Sequence, residues 1–231
     1  MASYSVGEVD GRVDTVITRS GDTGGAASVS FATDDLAGAQ ACDVRDGAAS
    51  SRCDYEPRFA TIKFAPGETA KTISVFLIND SYLEGPESFT VNLSDPVGAS
   101  LGAEPTAAVM IADDDSADGP NPIDEPSSFV RAHYLDFLNR EPDRAGLGFW
   151  VSNFIPCGGD AACLQARRVN VSAAFYLSIE FQNTGFLVER MYKAAFGDVN
   201  GTSTLGGSPH ALAVPVVRLN EFLLDTQQIG E

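Results

Sequence analysis

Between residues 4 and 111 the chain is cut into seven short β-rich runs, and no other feature restricts its fold as much. The runs cover residues 4–6, 13–18, 27–33, 60–64, 71–78, 88–93 and 107–111. In Thr72-Ile73-Ser74-Val75-Phe76-Leu77-Ile78 and Phe89-Thr90-Val91-Asn92-Leu93 the apolar residues recur at close to every second position. That is the period of a strand with one buried face. Ser20-Gly21-Asp22, Ala65-Pro66-Gly67-Glu68 and Asp95-Pro96-Val97-Gly98 supply turns between runs. Seven strands of this kind predict an antiparallel, immunoglobulin-like β-sandwich over residues 1–115.

The period then changes. Residues 116–126 combine acids with Pro120, Pro122 and Pro126, a composition that predicts an extended, solvated linker. From residue 127 the apolar spacing becomes helical. Ser127 or Ser128 can cap a helix through Val130, Tyr134, Phe137 and Leu138, and Asp143 can cap another through Leu147, Trp150, Val151 and Phe154. Residues 163–181, 185–196 and 216–225 read as further helices, while the Gly-rich run 201–209 reads as a surface loop. The expected architecture is multidomain: an all-β sandwich followed by a mainly α-helical domain over residues 127–231. The chain ends mid-pattern, as a fragment of a longer protein would.

Charge narrows the function. The net charge of -17 argues against nucleic acid or an anionic membrane as partner, since both require a basic face. No apolar run is long enough to span a bilayer. Nineteen of the 32 acids but only seven of the 15 bases precede residue 117, so the surplus sits mainly in the first domain. Such a surplus can serve solubility alone, or it can hold a cation.

Strand parity separates these readings. Successive antiparallel strands run in opposite directions, so the connections alternate between the two ends of the sandwich. Glu8, the loop 34–58 with Asp54, the loop 79–87 with Asp80, Glu84 and Glu87, and the closing Asp113, Asp114 and Asp115 all fall at one end. Carboxylates gathered this way repel one another without a counter-charge. Calcium accepts six to eight oxygen ligands in flexible geometry and suits loops from several strand ends; magnesium is second choice. Zinc would want His or Cys ligands, but neither cysteine pair has the spacing or the His partners of a zinc site, and no EF-hand loop occurs.

Four cysteines, Cys42, Cys53, Cys157 and Cys163, allow three pairings. Pairing within each domain, Cys42 with Cys53 and Cys157 with Cys163, is the simplest and points to an exported protein; incidental thiols are the alternative. No catalytic constellation is present. His133 and His210 stand far apart without a nucleophile signature, and no phosphate-cradling or dinucleotide-binding loop occurs.

The first half also resembles the Calx-beta family of sodium–calcium exchangers, an integrin subunit and bacterial surface proteins. The resemblance is carried by Tyr4-Ser5-Val6-Gly7-Glu8, Thr18-Arg19-Ser20-Gly21, Cys53-Asp54-Tyr55-Glu56-Pro57 and Phe64-Ala65-Pro66-Gly67-Glu68-Thr69. It continues through Ile78-Asn79-Asp80-Ser81-Tyr82-Leu83-Glu84-Gly85-Pro86-Glu87-Ser88-Phe89 and Ile111-Ala112-Asp113-Asp114-Asp115. It implies calcium ligation by Glu8, Asp54, Asp80, Glu84, Glu87, Asp113, Asp114 and Asp115, with the backbone carbonyl of Tyr82 as a further donor. Asn79 stands where the strongest binders of the family carry an aspartate, which lowers the charge. The loop 34–58 is longer than usual for the family.

Residues 129–150, with Asn139-Arg140-Glu141-Pro142-Asp143 at a helix corner and Trp150 packing across it, are similar to a bacterial helical domain of unassigned function. That motif looks like one in phycobilisome linker proteins. The expectation is a calcium-binding, non-enzymatic module of a bacterial secreted or cell-surface protein, acting in adhesion or protein interaction. The alternatives are an ion-independent adhesion module and an accessory region of a larger extracellular enzyme. Expected partners are calcium ions and a protein, or other domains of the same surface protein.

Overall fold

Alternation sets the strands. In Arg12–Thr18 (β2) Val13, Thr15 and Ile17 are buried between exposed neighbours, and in Ala27–Asp34 (β3) the buried set is Ala27, Val29, Phe31 and Thr33. Ala2–Gly7 (β1), Phe59–Phe64 (β4), Ala70–Phe76 (β5), Glu87–Val97 (β6) and Thr106–Ala112 (β7) complete the seven. Each overlaps one of the expected runs. The computed structural model describes residues 2–34, 42–51, 53–116, 119–204, 207–217 and 219–229, which fall into two compact units, Met1–Ser128 and Phe129–Glu231.

β1, β7, β6, β3 and β4 form a five-stranded sheet in that order, and β2 pairs with β5 as the opposing layer. Among the named strands of the described residues only β1 and β7 depart from antiparallel pairing, running parallel from Ala2 opposite Ala107 to Gly7 opposite Ala112. Parity accounts for it. The first and seventh strands travel the same way, so they can neighbour one another only as parallel partners.

Phe31, Tyr55, Val75, Leu77, Phe89, Val109 and Ile111 fill the space between the layers, none more than 2% exposed. Tyr55 and Phe89 stack with ring centroids 4.0 Å apart. At the side of the sandwich the Tyr4 hydroxyl accepts the Val16 N–H at 3.1 Å and ties the layers together. Gly98 has a φ of 71° and lies so close to Ala26 that a Cβ would meet its carbonyl oxygen at 2.5 Å, so the turn after β6 demands glycine.

The second unit is mainly helical: Pro126–Leu138 (α1), Arg144–Ser152 (α2), Ala161–Tyr176 (α3), Ile179–Asn183 (α4), Gly185–Phe196 (α5) and Leu219–Gln228 (α6). Asp143 caps α2 by accepting from the N–H groups of Ala145 and Gly146, and Asp160 caps α3 through Cys163. Val130, Tyr134, Phe154, Val171 and Phe175 form its core, with Trp150 packed against them 5.3 Å from the Phe175 ring. At the corner between α1 and α2, Arg140 holds Glu180 in a bidentate pair of 2.7 and 2.9 Å and lies over the Tyr134 ring. His133 places both ring nitrogens within bonding distance, on Ser172 Oγ and the Phe129 carbonyl, and stacks among Phe129, Phe137 and Phe175. Both disulfides join the expected partners, Cys42 to Cys53 and Cys157 to Cys163.

Four expectations need correction. α1 begins at Pro126, so Ser127 and Ser128 lie inside its first turn rather than at its cap; proline is favoured at that first helical position. The linker is not extended throughout, because Asn121 accepts the Ile123 N–H and closes a short 3-10 turn at Pro122–Asp124. Residues 117 and 118 of that linker lie outside the described residues, as do residues 35–41 of the long loop and Arg218 at the start of the expected last helix. The stretch 163–181 is not one helix; it breaks at Leu177, and the Ser178 hydroxyl caps α4 by accepting from Phe181. Finally, the glycine-rich run is only partly a loop. Gly201 belongs to the strand Asp198–Ser203 (β8), paired antiparallel with His210–Pro215 (β9), while residues 205 and 206 lie outside the described residues.

Candidate metal centre

The acidic side chains at the far end come from strand ends and from the loops that join them. β1 runs straight into a 3-10 turn, Glu8–Asp10, closed by the Gly7 N–H on the Asp10 carboxylate at 2.9 Å. That turn folds Glu8 inward, to 5% exposure. Asp54 lies just before the buried Tyr55. Its N–H bonds the Ser50 carbonyl at 2.9 Å, its carboxylate accepts the Ser50 N–H, and its carbonyl accepts the Ile78 N–H at 3.0 Å. The connection from β5 to β6 carries Asp80, whose carboxylate accepts the Tyr82 N–H at 2.7 Å, and then buried Glu84, while buried Glu87 opens β6.

Beyond β7, Asp113 receives three backbone donors: Glu84 at 2.8 Å, Gly85 at 2.6 Å and Asp115 at 2.7 Å. Gly85 has a φ of 83°, which lets its N–H and that of Glu84 converge on one oxygen. This contact locks the loop before β6 to the tail of β7.

The side chains form two groups in which one oxygen from each member lies within 4.8 Å of the others: Glu8, Asp113 and Asp115; and Asp54, Glu84 and Glu87. Asp80 belongs to neither, but its charge acts on both Glu8 and Glu84. Asp114 is exposed and its charge acts on Asp115. Tyr82 turns its ring half to solvent, and Asn79 is half-buried at the start of the same loop.

The electrostatics are those of anions crowded out of water. Burial, then repulsion from Asp80, Asp113, Asp115 and Asp54, pushes the Glu8 carboxyl up to about 8. Burial and the neighbouring Asp54 raise Glu84 and Glu87 as well. Asp80 and Asp115 move up for the same first reason, loss of water, with other aspartates adding to it. Asp113 is the exception: burial pushes it up, but its three N–H donors and the charge of Arg45 hold it below the ordinary range.

Among the described residues, three buried carboxylate oxygens, Glu8 Oε2, Glu87 Oε1 and Asp115 Oδ2, have no hydrogen-bond partner. A buried anion with an unanswered lone pair is costly, and a bound cation or a proton removes the cost. The donors are all oxygens, with no sulfur or imidazole in either group. This set fits a hard cation of calcium's kind. A cavity of about 730 Å³, lined by Val29, Phe31, Phe64 and Leu93 below the turns at the opposite end, contains none of these acids.

Three contributors were not anticipated. Asp46 and Arg45 project their charges onto Glu87 and Asp113, and Ser50 bonds Asp54. All three come from the long loop before β4, which has no periodicity to reveal its path; the Cys42 and Cys53 pair bracketing it was the available signal.

Residues 1–115 match the Calx-beta domain family. Sodium/calcium exchanger 1 of Canis lupus familiaris is 34% identical in an alignment of 134 residues that covers 50% of this chain and 13% of the exchanger. The extracellular matrix organizing protein FRAS1 of Homo sapiens is 40% identical over 78 residues, 33% of this chain and 2% of that protein. The chain thus spans a small part of the length of either relative. Among solved structures, the apo-form Calx CBD1 domain is 30% identical over 49% of this chain and 92% of its own, with a TM-score of 0.42.

Proposed function

Because residues 1–115 form a Calx-beta domain, we propose that they bind calcium, as the non-enzymatic module of a bacterial secreted or cell-surface protein acting in adhesion or protein interaction. One observation carries this reading: carboxylates from strand ends and loops far apart in sequence converge at one end, and among the described residues three of their buried oxygens lack a partner. Glu8, Asp113 and Asp115 would hold one ion, and Asp54, Glu84 and Glu87 another. Asp80, whose charge acts on Glu8 and Glu84, would add negative charge beside both ions. Asp114, the Asn79 side chain and the Tyr82 carbonyl are the remaining oxygen donors, and the neutral Asn79 keeps the site's charge lower than a ninth acid would. Bound calcium supplies positive charge that cancels the repulsion and answers the orphaned oxygens.

Two disulfides in one chain, and the similarity to a matrix organizing protein, support an extracellular location. The helical unit, with its resemblance to a phycobilisome-linker motif, is assigned the contact with a protein partner. Asp113, Asp114 and Asp115 lead into the linker, so an ion at the site would also order the start of that segment. Calorimetric titration of the chelated full chain with calcium tests the proposal, and a stoichiometry of two supports both groups. Absence of any binding heat, together with an unchanged melting temperature, refutes it.

A second reading is favoured by the raised carboxyls themselves, since protons alone can neutralise Glu8, Glu84 and Glu87. The acidic end would then be an ion-independent rim of an adhesion module. The double substitution Asp80→Asn with Glu84→Gln separates the two: a calcium site loses its calcium-dependent stabilisation, a rim does not.

A further inference from the structure

The long loop before β4 has the build of a clamp. From residue 42 it turns through Asp46, which accepts the Ala48 N–H at 3.1 Å, and then seats on the first residues of β6. The Ser88 N–H bonds the Gly47 carbonyl at 3.1 Å, and the Ala49 N–H bonds the Ser88 carbonyl at 2.9 Å. Ala49 is fully buried in the core of the sandwich, and Ser50 is nearly so. Ser88 is the neighbour of Glu87, so the loop grips β6 beside one member of the carboxylate group. Its other end delivers Asp54, the second member.

The two ends of this clamp are joined covalently. Cys42 and Cys53 are cross-linked with Cα atoms 5.4 Å apart, and Cys53 is 3% exposed, directly before Asp54. The Cys53 N–H also bonds the Ser50 carbonyl at 3.2 Å, so the disulfide and Ser50 fix the same backbone from two sides. Asp54, Glu84 and Glu87 bring one oxygen each within 4.8 Å of the others, and a ligand set this close needs its backbone fixed.

We propose that the Cys42–Cys53 cross-link is a positioning element of the metal centre: it closes the loop on β6 and holds Asp54 against Glu84 and Glu87, setting the calcium affinity of that group. This inference rests on the calcium reading of the site. Groups that hold a metal ligand in place are typically worth about 10–100-fold in affinity. The test compares the full wild-type chain with Cys42→Ser/Cys53→Ser, and with Cys157→Ser/Cys163→Ser, which opens the other disulfide. Calcium dissociation constants come from calorimetry, and amide exchange at Ser50 and Asp54 is followed by NMR in chelator.

The expected result is a roughly tenfold or greater weakening of calcium binding and lost protection at Ser50 and Asp54 in the first variant, with neither change in the second. If the serine variant fails to melt cooperatively, Cys42→Ala/Cys53→Val refills the buried Cys53 position and replaces it. Equal affinity in wild type and variant overturns the proposal while leaving the calcium reading intact. Should wild type bind no calcium, the calcium reading fails, and the claim that the cross-link sets an affinity falls with it; exchange at Ser50 and Asp54 then reports only whether the loop is held.

Discussion

Neutralising Glu8 tests how the acidic end is kept from flying apart. In the folded, calcium-free chain Glu8 keeps its proton until about pH 8, whereas an ordinary glutamate in the unfolded chain releases it near 4.5. Between these values the folded state holds the extra proton, so stability falls as pH rises. The contribution is complete below pH 4.5 and gone above pH 8. Each pH unit across that window is worth about 1.36 kcal/mol, so Glu8 alone accounts for on the order of 5 kcal/mol. Solvent screening at the edge of the site lowers that ceiling to a few kcal/mol. Asp80, Glu84, Glu87 and Asp115 move the same way, so the whole acidic end loses stability in this direction.

Glu8→Gln presents the neutral shape at every pH. In urea unfolding with chelator, wild type should lose several kcal/mol between pH 5.5 and 8.5, and the variant should lose markedly less. Excess calcium should invert the wild-type profile, since the ion needs the deprotonated carboxylates and its binding releases their protons. Calcium-free wild type as stable at pH 8.5 as at pH 5.5 would refute the electrostatic account of this end.

Calcium at a hundred times its dissociation constant should stabilise the sandwich by about 2.7 kcal/mol per ion, read as a concentration-dependent rise in melting temperature. In the Asp80→Asn/Glu84→Gln chain that rise should largely vanish. Phe89→Ala, which removes the ring stacked on Tyr55, should cost about 3–5 kcal/mol by urea unfolding of the sandwich. Asp143→Ala should cost the helical unit about 1 kcal/mol through the lost cap, with calcium binding unchanged. Opening Cys157–Cys163, a separation of six residues, should remove about 2 kcal/mol from that same unit.

The strands were legible because a half-buried strand writes its burial into the sequence: Val13, Thr15 and Ile17 alternate there as they do in the fold. Counting strands also sufficed to bring Glu8, Asp54 and Asp80 to one end, since direction follows from order alone. Pairing was not legible. Nothing local distinguishes β2, which leaves the large sheet to pair with β5, from strands that stay in it. The hairpin of β8 and β9 escaped notice for a related reason: most of its residues are exposed, so no apolar alternation marks it, and Gly201 reads as a break. The break before α4 was written in Ser178, but an apolar pattern running through Leu177 and Ile179 obscured it. Ser50, Arg45 and Asp46 reach the carboxylate groups through tertiary seating of an irregular loop, which leaves no periodic trace.

The parallel pairing of β1 with β7 also decides how the sandwich bears force. A pull applied at Ala2 and at Ala112 acts on opposite ends of two strands that lie side by side, so it loads their ladder of hydrogen bonds in shear. The bonds must then fail together instead of peeling open one at a time. Tension that enters through the first strand leaves through the last without having to unfold the layers between them, and it leaves beside Asp113, the residue that ties the β7 tail to the loop before β6.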